Sequence, residues 1–225
     1  MTNNLKIYTL LSNLFVVLFV VSNLVFKKFV AVWLLGYKIE VSVGLFFYPV
    51  IFVISDLVTE FYGRSHAKIM IYYSTLCSLI VLILIQISNI VPAAYWSLVD
   101  DKIFSLVFGS YKEAVLISIF VGLIAQMLDV YCFSYIKQKT NGRYMWFRNS
   151  VSTILGQLVD SILVVLLLSL AGIIDEVPTS NIILSSMFFK LVVTICSVGL
   201  YYLAYHLISS FLCKQKTNGL NSRNL

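Results

Sequence analysis

Hydrophobic residues along this chain gather in six long runs, at about 7–26, 41–61, 69–91, 114–136, 149–174 and 184–212, separated by short polar stretches. As a helix rising about 1.5 Å per residue, each run is long enough to cross a hydrocarbon core of about 30 Å. The pattern predicts an all-α polytopic membrane protein with six transmembrane helices in one bundle. The second run departs from the rest, because it carries Gly44, Pro49, Asp56 and Glu60. A broken or kinked second helix is therefore expected. Residues 1–225 read as a single membrane-embedded domain, with 214–225 as a cytoplasmic tail.

Composition narrows the class further. Of 225 residues, 60% are hydrophobic and 12% charged, and the mean hydropathy is +0.94. Soluble domains carry about 45–50% apolar residues, so a water-soluble fold is excluded. A net charge of +6 could point to nucleic acid, but here the cations lie in short loops between apolar runs rather than on a basic soluble face. Lipid, and not nucleic acid, is the expected surrounding. The cysteines Cys77, Cys132, Cys196 and Cys213 form no C-x-x-C pair, and His66 and His206 are not spaced as metal ligands. No cofactor or metal is expected. The first apolar run ends at Lys27-Lys28 without a small-residue cleavage site and reads as a retained span.

Charge asymmetry then orients the bundle. With both termini on one side, that side collects ten cations: Lys6, Arg64, Lys68, Lys137, Lys139, Arg143, Arg148, Lys214, Lys216 and Arg223. The other holds five, Lys27, Lys28, Lys38, Lys102 and Lys112, beside Glu40, Asp100, Asp101, Glu113, Asp175 and Glu176. The positive-inside rule places both termini in the cytoplasm. The longest outer connection, 92–113, holds Tyr95, Trp96 and Tyr111, which suit a membrane interface.

Two short sequences recur. Lys-Gln-Lys-Thr-Asn-Gly stands at 137–142 and at 214–219 and reads as two basic segments that follow spans. Gln-x-x-Asp stands at 126–129 and 157–160, inside the fourth and fifth spans. There Asp129 and Asp160 join Asp56 and Glu60 as acids within apolar runs. A central Asp facing lipid costs about 2.5–3.5 kcal/mol, so the four must face one another, a partner or water. Residues four apart on a helix lie about 40° apart around the axis and residues three apart about 60°. Asp56 therefore shares a face with Glu60, Gln126 with Asp129, and Gln157 with Asp160. Counted at about 1.5 Å per residue, Asp56 and Asp129 lie roughly 10 Å from the cytoplasmic end and Asp160 roughly 16 Å. A polar patch in the inner half of the bundle is expected.

Glu60, near the interface, reads first as a solvated helix end, and Arg64 and Lys68 read as topology determinants. Arg148, at the start of the fifth span, can pair with Glu60 or Asp129; Lys190 can bind substrate or snorkel outward. Pro49 is either a simple kink or, beside Phe46, Phe47 and Tyr48, the opening of an aromatic-lined site.

At these residues the chain resembles the queuosine precursor transporters, also called the vitamin uptake transporter family. The resemblance rests on Phe47-Tyr48-Pro49, Ser55-Asp56-Leu57-Val58-Thr59-Glu60-Phe61-Tyr62-Gly63 and Gln126-Met127-Leu128-Asp129-Val130. It continues through Arg143-Tyr144-Met145-Trp146-Phe147-Arg148-Asn149-Ser150-Val151-Ser152-Thr153 and Gln157-Leu158-Val159-Asp160-Ser161, and covers about residues 20–200. Ser55 before the Asp and Ser150 after Asn149 are mild departures. The resemblance implies a bacterial inner-membrane importer of 7-deazaguanine bases (preQ0, preQ1 or queuine), which are salvaged for tRNA modification. It also leaves room for a homodimer.

On that reading Asp129 or Asp160, with its glutamine, would accept the guanine-like N1–H and amine edge. Phe47 and Tyr48 would stack the flat ring, and Asp56 or Glu60 would pair with an aminomethyl cation. The chain has no Walker A sequence, which leaves uniport, proton or ion coupling, or service as the substrate-binding subunit of an ATP-driven importer. An intramembrane enzyme is the rival class. The Gly-x-Gly-Asp context of intramembrane aspartyl proteases is missing, as is a rhomboid Gly-x-Ser with a helix-borne His, so no enzyme activity is expected. A scaffold in which the carboxylates only fasten helices is the other rival.

Overall fold

A computed structural model of the chain describes residues 3–34, 36–109, 112–172 and 179–221, with backbone alone at 3, 34, 37, 179–184 and 213–221. Tyr111, Asp175, Glu176 and Arg223 lie outside the described residues, as do the side chains of Cys213, Lys214 and Lys216. The elements run α1 (Asn3–Val25), β1 (Phe29–Leu34), β2 (Tyr37–Ser42), α2 (Tyr48–Tyr62) and α3 (Arg64–Ile90). They continue with the short α4 (Asp101–Phe104), then α5 (Lys112–Lys139), α6 (Met145–Leu170) and α7 (Thr179–Asn221). Six segments are long and apolar enough to cross a membrane; four are single α-helices over their described core, the second joins a 3-10 turn to α2, and the fourth, Asp101–Lys139, takes in α4, a π-helical turn at Ser105–Gly109 and α5. An even number of crossings puts the start of α1 and the end of α7 on one side, here the basic end.

The second span is broken, as its composition suggests. Its first part, Val43–Phe46, is a 3-10 turn whose N-terminal residue Ser42 accepts from the Gly44 amide at 3.2 Å. Pro49 then sits in the first turn of α2, where its missing N–H costs nothing. It starts the α-helical part of a span that bends where the 3-10 turn meets α2, as expected. Gly44 lies so close to α1 that a Cβ there would stand 2.6 Å from the Ser22 carbonyl oxygen. At the other end of α2, Gly63 has φ +86° and ψ 167°, a conformation reserved almost wholly to glycine, and this single residue turns the chain into α3.

The hairpin of β1 and β2 was not expected from the hydrophobic runs, which assign 29–40 to a loop. Its strands pair antiparallel from Phe29 with Ser42 to Leu34 with Tyr37, and the turn holds Gly36 at φ +85°. One face is apolar: Ile39 and Val41 are buried with Phe189 of α7, while Lys38 and Glu40 on the other face are exposed. The hairpin is fastened to the end of α1, because Ser42 Oγ donates to the Phe26 carbonyl and the Val43 amide to the Lys28 carbonyl at 2.7 Å. It therefore covers the bundle end opposite the termini.

Two apolar clusters pack around α2, and a third, of Leu82, Val115 and Ile119, joins α3 to α5. Phe15 and Phe19 of α1 pack with Ile51, Ile54 and Val58 of α2, Met70 and Ile71 of α3 and Val130 of α5. Val53 and Leu57 pack with Phe133 of α5 and Tyr201 of α7. Helix α6 is built the other way round. Its buried positions are Arg148, Asn149, Ser152, Thr153, Gly156, Gln157, Asp160 and Ser161, pairs repeating every four residues. This is a helical stripe whose inward face is small or polar, while Leu155, Ile162 and Leu166 face outward. Since lipid satisfies no polar group, such a helix must bury its polar face in protein or line a cavity.

Candidate functional site

The α6 stripe feeds two polar clusters rather than one patch. The first lies towards the basic end, between α2, α5 and α6. Asp56, fully buried on α2, accepts from the Asn149 amide nitrogen of α6. Asp129, fully buried on α5, accepts from Ser55 Oγ at 3.0 Å, and the hydroxyls of Ser152 and Thr153 also lie against it. The carboxyl groups of Asp56 and Asp129 are themselves in contact. Helices α5 and α6 come close here because Gly156 has no side chain: a Cβ would stand 3.1 Å from the Ala125 carbonyl oxygen and 3.3 Å from Asp129 Cβ.

Next to this pair stands an ion-pair network. Arg148, 1% exposed, holds Glu60 at 2.8 Å and donates through Nη1 to the Gly142 carbonyl at 2.8 Å. Lys137 holds the same Glu60 carboxylate at 3.0 Å and also donates to the Glu60 backbone carbonyl at 3.0 Å. Of the two partners open to Arg148, Glu60 is the one taken. The expectation that Glu60 is a solvated helix end is corrected: its side chain is 12% exposed and carries two cations, because Gly142 and the α5–α6 turn bring Arg148 and Lys137 over it. Arg64 is exposed and lies over the Tyr131 ring at 4.6 Å.

The second cluster is nearer the hairpin end, between α6 and α7. Lys190 of α7 pairs with Asp160 Oδ2 at 2.6 Å and donates to Ser161 Oγ at 2.9 Å. Its ammonium also lies 5.5 Å from the Tyr48 ring centroid. It is 6% exposed and does not snorkel. One turn earlier, Gln157 Oε1 accepts from Thr194 at 2.9 Å. The two Gln-x-x-Asp sequences thus serve different neighbours: Asp129 turns to α2, whereas Gln157 and Asp160 both turn to α7. The Gln126 carbonyl oxygen is buried without a hydrogen-bond partner.

A cavity of about 320 Å³ opens beside this second cluster, within the size range of small-molecule sites, about 300–1,000 Å³. Asp160, Ser161, Lys190 and Tyr48 line one side. Ser22 and Asn23 of α1, Phe26 just after it, Ser42 and Gly44 line another, with Val164, Val165 and Leu168 completing an apolar wall. Asp160 Oδ1 is buried and has no hydrogen-bond partner. A mainly apolar chamber with one carboxylate, one ammonium and several hydroxyls has the make-up of a small-molecule site.

Of the residues singled out in the sequence, Tyr48, Asp160 and Lys190 line this cavity, with Gln157 one turn away. Asp56, Glu60, Asp129 and Arg148 form the other cluster with Gln126 on its α5 face. Phe47 belongs to neither, because it packs on the apolar cluster of α1, α2 and α3. Asn149, Ser55, Ser152, Thr153, Ser161, Thr194 and Lys137 join the clusters without standing out as site residues in the sequence. The signal that finds most of them is the four-residue recurrence of small and polar residues along α6.

Comparison with known proteins identifies the family. A family model described as "Putative vitamin uptake transporter" matches residues 42–204. A protein of Bacillus subtilis (strain 168) named "Probable queuosine precursor transporter" is 27% identical over 175 residues, 76% of this chain and 75% of that protein. No solved structure matches. The family match spans most of the chain and contains both polar clusters, and the chain belongs to the vitamin uptake transporter family.

Proposed function

We propose that this chain imports a 7-deazaguanine precursor of queuosine, preQ0, preQ1 or queuine, across the bacterial inner membrane, with the cavity beside Asp160 as the substrate chamber. The observation that carries the reading is Asp160, a buried carboxylate on the cavity wall with one oxygen held by Lys190 and the other unpartnered. A deazaguanine edge offers N1–H and an exocyclic amine side by side, and a carboxylate accepts both. Lys190 fixes the Asp160 rotamer, while the Tyr48 ring and the wall of Val164, Val165 and Leu168 take the faces of the flat base. Of the two acids that sequence alone offers for this role, Asp160 is preferred, because Asp129 is closed in between α2 and α6.

The similarity to a protein named as a queuosine precursor transporter supports the substrate class. With the positive-inside rule applied, the basic end faces the cytoplasm and the cavity lies in the outer half of the bundle. No chemical step is assigned to the chain: it moves its substrate unchanged.

The test is supply of preQ0, preQ1 and queuine, each alone, to cells that lack precursor synthesis and their own importer and that express this chain, scored by queuosine in tRNA. At least one precursor restores the modification at nanomolar to micromolar supply. No rescue by any of the three, with the protein present in the membrane, contradicts the assignment.

A further inference from the structure

The cluster at the basic end does not balance its charge. Among the described residues it holds the carboxylates of Asp56, Asp129 and Glu60 but only two cations, Arg148 and Lys137, and both are taken by Glu60. Asp56 and Asp129 touch each other, are fully buried, and take their hydrogen bonds from neutral groups, the Asn149 amide and the hydroxyls of Ser55, Ser152 and Thr153; the Arg148 guanidinium is near enough to act on Asp56 through space, but its hydrogen bonds go to Glu60 and Gly142. Two adjacent carboxylates in a low-dielectric setting need positive charge beside them. The whole cluster is short by a single unit.

The unpartnered atoms say what kind of charge is missing. Asp56 Oδ1, Asp129 Oδ1 and Asn149 Oδ1 are all buried and without a hydrogen-bond partner. Asn149 is 1% exposed, and its amide is held in the cluster by the bond from its nitrogen to Asp56. A proton between the two carboxyls would serve two of these oxygens and leave the amide oxygen orphaned. A small hard cation takes oxygen ligands of all three kinds at once: carboxylate, amide carbonyl and hydroxyl. The shortage of one charge favours a monovalent ion over a divalent one. We propose that Asp56, Asp129 and Asn149, with the hydroxyls of Ser55, Ser152 and Thr153, form a binding site for one Na⁺, distinct from the substrate cavity.

The site lies where α2, α5 and α6 meet, so an ion in it fastens three helices at the end opposite the hairpin, and its release loosens them. This makes it suited to couple an ion gradient to opening of the basic end.

The experiment is thermal unfolding of the purified full-length protein in detergent at fixed pH, titrated with NaCl against choline chloride and KCl at constant ionic strength, together with equilibrium binding of radioactive Na⁺. Na⁺ raises the midpoint in a saturable way, choline does not, K⁺ does so only at higher concentration, and one Na⁺ binds per chain. Asp129→Asn, or the milder Thr153→Val if that variant fails to fold, shifts the half-saturating concentration upward by about tenfold or more, the equivalent of about 1.4 kcal/mol of binding free energy. Equal midpoints in Na⁺ and choline with no Na⁺ bound would overturn the proposal, as would a parallel pH series in which acidification alone raises the midpoint and Na⁺ adds nothing at any pH. Because no substrate is present, the outcome is independent of which base the chain carries.

Discussion

Asp160 and Lys190 form a buried pair, and removing either partner leaves the other charged and unpaired. Lys190→Met alone is expected to cost about 3–5 kcal/mol of stability, seen as low membrane abundance and a reduced midpoint of thermal unfolding. Asp160→Asn with Lys190→Met removes both charges together and restores abundance towards wild type, because a buried ion pair adds little net stability over neutral groups of similar volume. Import is not restored, since the carboxylate that meets the base is gone. If the double variant transported normally, Asp160 would be only a fastener of α6 to α7. Glu60 sits in the reverse arrangement, with one carboxylate under two cations, so Glu60→Gln should be more damaging than Lys137→Met. Comparing the two midpoints of unfolding checks that order.

Among the elements, α6 sets the arrangement, because its stripe supplies residues to both clusters. Gly156 is a position at which it lies close against α5. A methyl there finds the Ala125 carbonyl at 3.1 Å and Asp129 Cβ at 3.3 Å, both on the α5 backbone or next to it. Gly156→Ala is expected to lower stability by about 1–3 kcal/mol, the usual cost of overpacking, and Gly156→Leu to abolish folding. Thermal unfolding in detergent reads both; no change for Gly156→Leu would mean that α5 and α6 do not cross here.

The stripe was written in the sequence as pairs at 148/149, 152/153, 156/157 and 160/161, yet only Arg148, Gln157 and Asp160 stand out when residues are read one at a time. Serine, threonine and glycine are ordinary in membrane helices, and only their recurrence every four residues makes a face. The hairpin was legible in a similar sense, through Val30 and Val32, then Ile39 and Val41 alternating with Lys38 and Glu40, around Gly36. A dominant pattern of long apolar runs concealed it. The partner of Asp160 was not legible, because Lys190 lies 30 residues further on and their meeting depends on how α7 registers against α6.

For the molecule as a whole, the spans and the placement of charge were readable because lipid leaves few options: apolar runs cross, and stray acids must be housed. What the runs could not convey was that the acids divide between two places, a chamber towards the hairpin end and a closed cluster towards the basic end. The orientation of the bundle has its own test. In a background with its native cysteines replaced, Lys102→Cys in the outer connection should react with a membrane-impermeant maleimide on intact cells, and Arg143→Cys should react only after permeabilisation. Both positions are exposed in the fold, so the reverse result would invert the assigned topology.

The most direct test of the central claim is uptake of labelled precursor into liposomes containing only the purified chain, with wild type and Asp160→Asn compared at equal incorporation and with inward Na⁺ and proton gradients supplied. Saturable uptake of preQ0, preQ1 or queuine by the wild type, blocked by an excess of the unlabelled base and reduced by about tenfold or more in Asp160→Asn, is expected. Absence of uptake for all three bases, or equal uptake by the two proteins, would contradict that claim.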